Sequence, residues 1–192
     1  MVRVLLVDHH DSYTHNLSHL VALVAGTLPD VIQHDDPAAE ARWRGYTHVV
    51  LSPGPGTVAD PADFAVGRAI ISEAAVPVLG VCLGMQGIVA VLGGRVEVVE
   101  PAHGEVARVN HHARGVFRGV PDGFRAVRYH SRAAVALPDC LVETAWCVGD
   151  AGSRVVMGVE HASRPLHGVQ FHPESILTEH GATIVGNFLA LT

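Results

Sequence analysis

Ten residues, Pro77-Val-Leu-Gly-Val-Cys-Leu-Gly-Met-Gln86, constrain the fold more than any other stretch of this chain. Residues 77–81 form an apolar run too short for a helix, and Cys82 and Gly84 lead it straight into a helical pattern over 83–91. A short, wholly apolar strand feeding a helix is what a buried strand of an α/β sheet looks like. The preceding segments repeat the alternation. Residues 2–7 are an apolar run closed by Asp8. Leu17, Leu20, Val21 and Val24 then recur at helical steps, which predicts a helix ending near Ala25. Strands over 31–34 and 47–51 follow, and a helix over 62–73. Strand and helix alternating in this way predict a largely parallel sheet flanked by helices.

Beyond residue 92 the pattern changes. Short strand candidates at 95–99, 105–109, 124–129, 141–145, 155–160 and 166–171 are separated by Gly, Pro or Asp turns, which predicts an antiparallel extension of the sheet. A helix over 178–191 closes the chain. No repeat, low-complexity segment or linker interrupts it, and 192 residues suit one domain, 1–192.

Composition narrows the function classes. Charged residues are only 17% and hydrophobic residues 48%, the balance of a packed protein. A net charge of −6 argues against nucleic acid as a partner. No apolar run reaches the roughly 20 residues a membrane span needs, and the first apolar stretch is too short for a signal peptide. All 13 basic residues are arginine, so lysine Schiff-base and P-loop chemistry are excluded. Cys82, Cys140 and Cys147 are an odd set with no C-x-x-C pair, which suits a reducing cytoplasm. There are 14 histidines, and His9-His10 and His111-His112 invite a metal, but no ordered ligand spacing surrounds them. The sequence therefore predicts no metal site, and solvated surface positions for most of the histidines.

Three stretches carry chemistry. Gly80-Val-Cys-Leu-Gly84 matches a G-x-nucleophile-x-G elbow with sulfur as the nucleophile. A helix N-terminus favours a thiolate there, glycines on both sides admit the tight turn, and the Leu83 N–H faces an oxyanion. Ser52-Pro-Gly-Pro-Gly56 ends a neighbouring strand, where ligands bind in parallel sheets, and offers the Gly56 N–H as a second donor. Gly168-Val-Gln-Phe-His-Pro-Glu174 places His172 and Glu174 two residues apart on an extended segment, so that the carboxylate can orient the imidazole. Singly, each stretch has a plainer reading: a buried cysteine as a small hydrophobe, a glycine-rich turn, a polar loop. All three falling at strand ends in one small protein is what the plainer readings fail to explain.

Together these motifs resemble the class I, triad-type glutamine amidotransferases, a single-domain, flavodoxin-like α/β fold. Asp11-Ser-Tyr-Thr-His-Asn16, Arg128-Tyr-His-Ser131 and Ser175-Ile-Leu-Thr-Glu-His-Gly181 further resemble the glutaminase subunits of anthranilate and aminodeoxychorismate synthases. The resemblance implies hydrolysis of glutamine to glutamate and ammonia through a thioester on Cys82, with His172 and Glu174 completing the triad. It implies glutamine contacts at Gly54, Gly56, Leu83, Gln86, Ser131 and Arg132. It implies no cofactor in this chain, and ammonia passed to a chorismate-binding synthase partner that uses Mg. The competing readings are a stand-alone γ-glutamyl hydrolase or peptidase and a non-catalytic regulatory subunit.

Three positions depart from the family pattern. Met85 stands where a polar residue is common, and is expected to alter the pocket wall. Arg132 replaces an apolar residue. Ala102-His-Gly-Glu-Val-Ala107 replaces Met-His-Gly-Lys-Thr-Ser, reversing a charge at Glu105 and removing a hydroxyl at Ala107. That stretch is expected to be a loop facing a specialised partner.

Overall fold

The computed structural model describes residues 2–149 and 152–192. Strand β1 (Val4–Asp8) leads to helix α1 (Thr14–Ala25), strand β2 (Asp30–Gln33), a single helical turn α2 (Ala39–Arg42), strand β3 (His48–Leu51), helix α3 (Pro61–Glu73), strand β4 (Val78–Val81) and helix α4 (Leu83–Val91). Strands β5 (Arg95–His111), β6 (Phe124–Ala136), β7 (Leu141–Val148), β8 (Arg154–His161) and β9 (Leu166–Val169) follow, then helix α5 (Gly181–Leu189). The sheet order is β2-β1-β3-β4-β9-β8-β7-β5-β6. The pairs from β2 through β9 along that order are parallel, and those from β9 through β6 are antiparallel.

The parallel strands β1, β3, β4 and β9 are largely apolar and buried because helices cover both faces, whereas the edge strand β2 is mostly exposed. Leu6, Val50 and Leu79 point to one side and pack with Leu17 and Val21 of α1 and Val185 and Phe188 of α5. Leu5, Val49 and Leu51 point to the other and pack with Ile70 and Ile71 of α3 and Ile88 of α4. The period-two alternation thus divides one apolar run between two cores. Helix α1 ends at Gly26, whose φ of 74° lets its N–H reach the Ala22 carbonyl. Helix α3 starts with Pro61 behind an Asp60 cap that accepts the Ala62 N–H.

The first half follows the expected alternation, with boundaries shifted by at most two residues and with α2 unforeseen. The second half differs in three ways. The candidates at 95–99 and 105–109 are one long strand, β5, because β-bulges around Val98–Ala102 and His103–Glu105 absorb the turn-forming residues without breaking the pairing with β6. Strand β9 is not purely part of the antiparallel extension: it pairs parallel with β4 and antiparallel with β8, and so joins the two halves. The closing helix begins at Gly181 rather than 178. No helix among the described residues is long and apolar enough to cross a membrane.

Candidate active site

Cys82 sits between β4 and α4 with φ 51° and ψ −101°, a conformation that L side chains rarely adopt. The strained backbone is held by neighbouring bonds. The Cys82 N–H donates to the Val169 carbonyl on β9 at 2.8 Å, and the Cys82 carbonyl accepts the Gln86 N–H at 3.0 Å. The flanking glycines are required by close approach. A Cβ on Gly80 would lie 2.5 Å from the Gly84 carbonyl oxygen, and one on Gly84 would collide with the Leu51 carbonyl.

Two residues beyond Gln170, the His172 N–H donates to Val127 on β6 at 3.1 Å. His172 Nδ1 meets Glu174 Oε1 at 2.6 Å, with both side chains almost wholly buried. Burial alone would pull the imidazole down. The Cys82 sulfur and the Glu174 carboxylate outweigh it and raise His172 to about 10. His172 Nε2 is buried and makes no aligned hydrogen bond, yet the sulfur is near enough to act on the ring. Such contacts commonly tighten only when substrate is bound. The Tyr129 ring stands edge-on to the imidazole, with centroids 5.2 Å apart.

The Ser52–Gly56 turn is fixed from below. Buried Ser52 Oγ accepts the His9 N–H at 2.9 Å, and a Cβ on Gly54 would strike the His9 carbonyl. Gly56 has φ 91°, and Asp63 occupies the space its Cβ would need while accepting the Thr57 N–H. Burial, then His34, holds His9 down at about 3, so its ring is neutral.

Cys82, Leu83, Gly54, Gly56, Ser131 and Arg132 line one cavity of about 200 Å³. Gln86 also lines it, but its Nε2 donates to the Arg132 carbonyl at 2.9 Å and to Gln170 Oε1 at 3.3 Å. Gln86 therefore braces the Ser131–Arg132 wall. Gln170 was not foreseen. It is fully buried, and its Nε2 donates to Cys82 Sγ at 3.4 Å. The signal was in the sequence: Gln170, His172 and Glu174 share the same period-two spacing. His103 and His130, also unforeseen, complete the wall.

The expected departures resolve differently. Met85 is fully buried against Gly168, so it belongs to the core and not to the pocket wall. Residues 102–107 are not a loop but part of β5, with Ala102 and Ala107 buried against its β6 partners. Glu105 pairs with the buried guanidinium of Arg128 across that ladder, so its charge is answered within the chain. A larger cavity of about 380 Å³ opens beside this pair, where Arg128 is matched by Glu105 and Arg154 by Glu143, and Glu100 adds a further carboxylate.

The profile of the family "Glutamine amidotransferase class-I" matches residues 5–191. Aminodeoxychorismate synthase of Streptomyces griseus is 46% identical over the whole chain, which spans 26% of that protein's length. Anthranilate synthase component 2 of Thermus thermophilus is 43% identical, with 98% of this chain and 92% of that protein covered. Among solved structures, a Thermoplasma acidophilum protein provisionally described as part of a GMP synthase superposes with a TM-score of 0.87 at 26% identity, over 98% of this chain and 92% of the other. The chain belongs to the class-I glutamine amidotransferases.

Proposed function

We propose that this chain is a glutaminase component that supplies ammonia to a chorismate-aminating synthase, of the anthranilate or aminodeoxychorismate type. The observation that carries the reading is the placing of Cys82 between a buried His172–Glu174 pair and a cavity edged by Gly56 and Leu83.

The Cys82 thiolate attacks the side-chain amide carbon of glutamine, and the carbonyl electrons move onto oxygen. The Leu83 and Gly56 N–H groups face that oxyanion. Protonated His172 gives its Nε2 proton to the leaving nitrogen, the C–N bond breaks, and ammonia departs from a glutamyl thioester. Neutral His172 then takes a proton from water, hydroxide adds to the thioester, and the C–S bond breaks to release glutamate and restore the thiolate. Glu174 holds Nδ1 and stabilises the imidazolium in both halves. Each step balances with side chains and water alone.

The partner reading draws support from the rim beside His172. Tyr13, Ile176 and Leu177 border a second opening there, and Ile176 is 99% exposed. An isoleucine so exposed at the mouth of a site suits a protein that covers it. Cys82→Ser, assayed with the co-purified synthase, should lower glutamate release by about a thousandfold or more while amination from added ammonium salt persists. Glutamine use at near wild-type rate would remove Cys82 from the mechanism.

A further inference from the structure

The sequence singles out two histidine pairs, and the fold treats them differently. His111 has both ring nitrogens engaged, Nε2 with the Pro121 carbonyl at 3.2 Å and Nδ1 as acceptor from the Ala113 N–H at 3.0 Å. His10 instead meets two residues more than twenty positions away. Its Nε2 lies 3.2 Å from Asp35 Oδ2, and one donor atom from each of His10, His34 and Asp35 falls within 4.8 Å of the others.

That spacing is close to what a metal requires. Ligands about 2.1 Å from a tetrahedral zinc stand about 3.4 Å apart. The His10–Asp35 edge already has nearly this length, and the longest edge must shorten by about 1.4 Å, within the reach of side-chain rotation at two exposed residues. His34 is only 7% exposed, and its buried Nδ1 has no hydrogen-bond partner. A buried ring nitrogen left unanswered is costly, and a surface His10–Asp35 hydrogen bond does nothing for it. The Asp35, Asp63 and Asp8 carboxylates surround His34 with negative charge. The His34 ring stacks on His9, and His9 on Phe64, with centroids 5.2 and 4.9 Å apart. These stacks fix its orientation, as the surroundings of a metal ligand must.

We propose that His10, His34 and Asp35 form a divalent-metal site of the zinc class, outside the glutamine pocket, that ties the turn after β1 to the end of β2. Two imidazoles and a carboxylate are borderline donors that suit zinc over calcium or magnesium, and three protein ligands leave a fourth position for water. The site would brace the segment that begins at His10, which adopts φ 58°, and continues to Tyr13 and Asn16 beside His172.

The test is a Zn²⁺ titration of the metal-stripped full chain against a chromogenic chelator, with Co²⁺ as spectroscopic probe. One equivalent should bind, and Co²⁺ should give the intense visible bands of a four-coordinate site. Asp35→Asn and His10→Gln, both at exposed positions, should each weaken Zn²⁺ by about tenfold to a hundredfold, and His34→Gln at least as much. A His111→Gln/His112→Gln double variant should bind as wild type. Equal affinity in Asp35→Asn and His10→Gln, or loss of binding in the His111/His112 variant instead, would overturn the assignment.

Discussion

The parallel and antiparallel halves of the sheet serve the pocket in different ways. In the parallel half each contribution comes from the segment just beyond a strand's C-terminal end: Ser52–Gly56 after β3, Cys82 after β4, Gln170 to Glu174 after β9. In the antiparallel half the contributions come from within strands, His103 from a bulge in β5 and Tyr129 to Arg132 from the middle of β6. Strand ends release the backbone to aim reacting groups and amides, whereas mid-strand residues are tied into the ladder and make walls. Electrostatics do not divide as cleanly. The antiparallel half balances Arg128 with Glu105 and Arg154 with Glu143 but also holds His130 down at about 4, while the segments beyond the parallel strands hold His172, raised to about 10, and His9, lowered to about 3.

The largest test of this division is Glu174→Gln. It should lower glutamate release by about a hundredfold. In the proposed mechanism the imidazolium of His172 is the acid for the leaving amine, so wild-type activity should persist until pH rises through about 10. Losing Glu174 removes one of the groups that raise His172, and the alkaline limb should move to lower pH. A fallen rate with an unmoved limb would reduce Glu174 to a structural role.

A smaller effect is expected in acid. His9 is held neutral in the fold at about 3 against 6.5 in the free side chain, and His130 at about 4, chiefly by burial and then by Arg128. The unfolded chain therefore binds more protons. Stability is fully present above pH 6.5 and is lost as pH falls toward those folded values. Between pH 7 and 5 each histidine should contribute a loss of at most about 2 kcal/mol. Urea unfolding of His9→Gln at both pH values should show a flatter dependence, and an unchanged slope would separate the acid sensitivity from His9. The two histidines should part below about pH 4, where His130 is protonated and His9 is not.

The smallest effect should come from Glu105→Gln. It leaves buried Arg128 without its carboxylate and should cost about 1 kcal/mol of unfolding stability, since Glu105 itself is 38% exposed. Glutamate release should stay within about twofold. A loss of activity as large as that of Glu174→Gln would break the division between reacting ends and walls.

The same division explains what could be read in advance. In the parallel half the apolar runs over 4–7, 49–51 and 78–81 stop at Asp8, Ser52-Pro53 and Cys82, and the nucleophile and the glycine-rich turn lie at such stops. The run, the stop and the chemistry are all local. In the antiparallel half, Pro101 and Gly104 look like the turn between two strands, yet the pairing with β6 carries the chain through them by bulging. Glu105 looks like a surface charge because its partner, Arg128, is 23 residues away and meets it only across the ladder. Gln86 illustrates a further gap. Its presence in the pocket was legible, but the amide chain from Arg132 through Gln86 and Gln170 to Cys82 joins three separate elements.

The four-step parallel register from Val78–Leu166 to Val81–Val169 works as a ruler. Cys82 is the next residue on one strand, and His172 lies three beyond the end of the other, so the spacing of nucleophile and base is measured along one ladder. The residues between those strands form helix α4, the remaining antiparallel hairpins and part of the pocket wall. The tips of those hairpins can lengthen, shorten or change charge without recalibrating the bond-breaking pair.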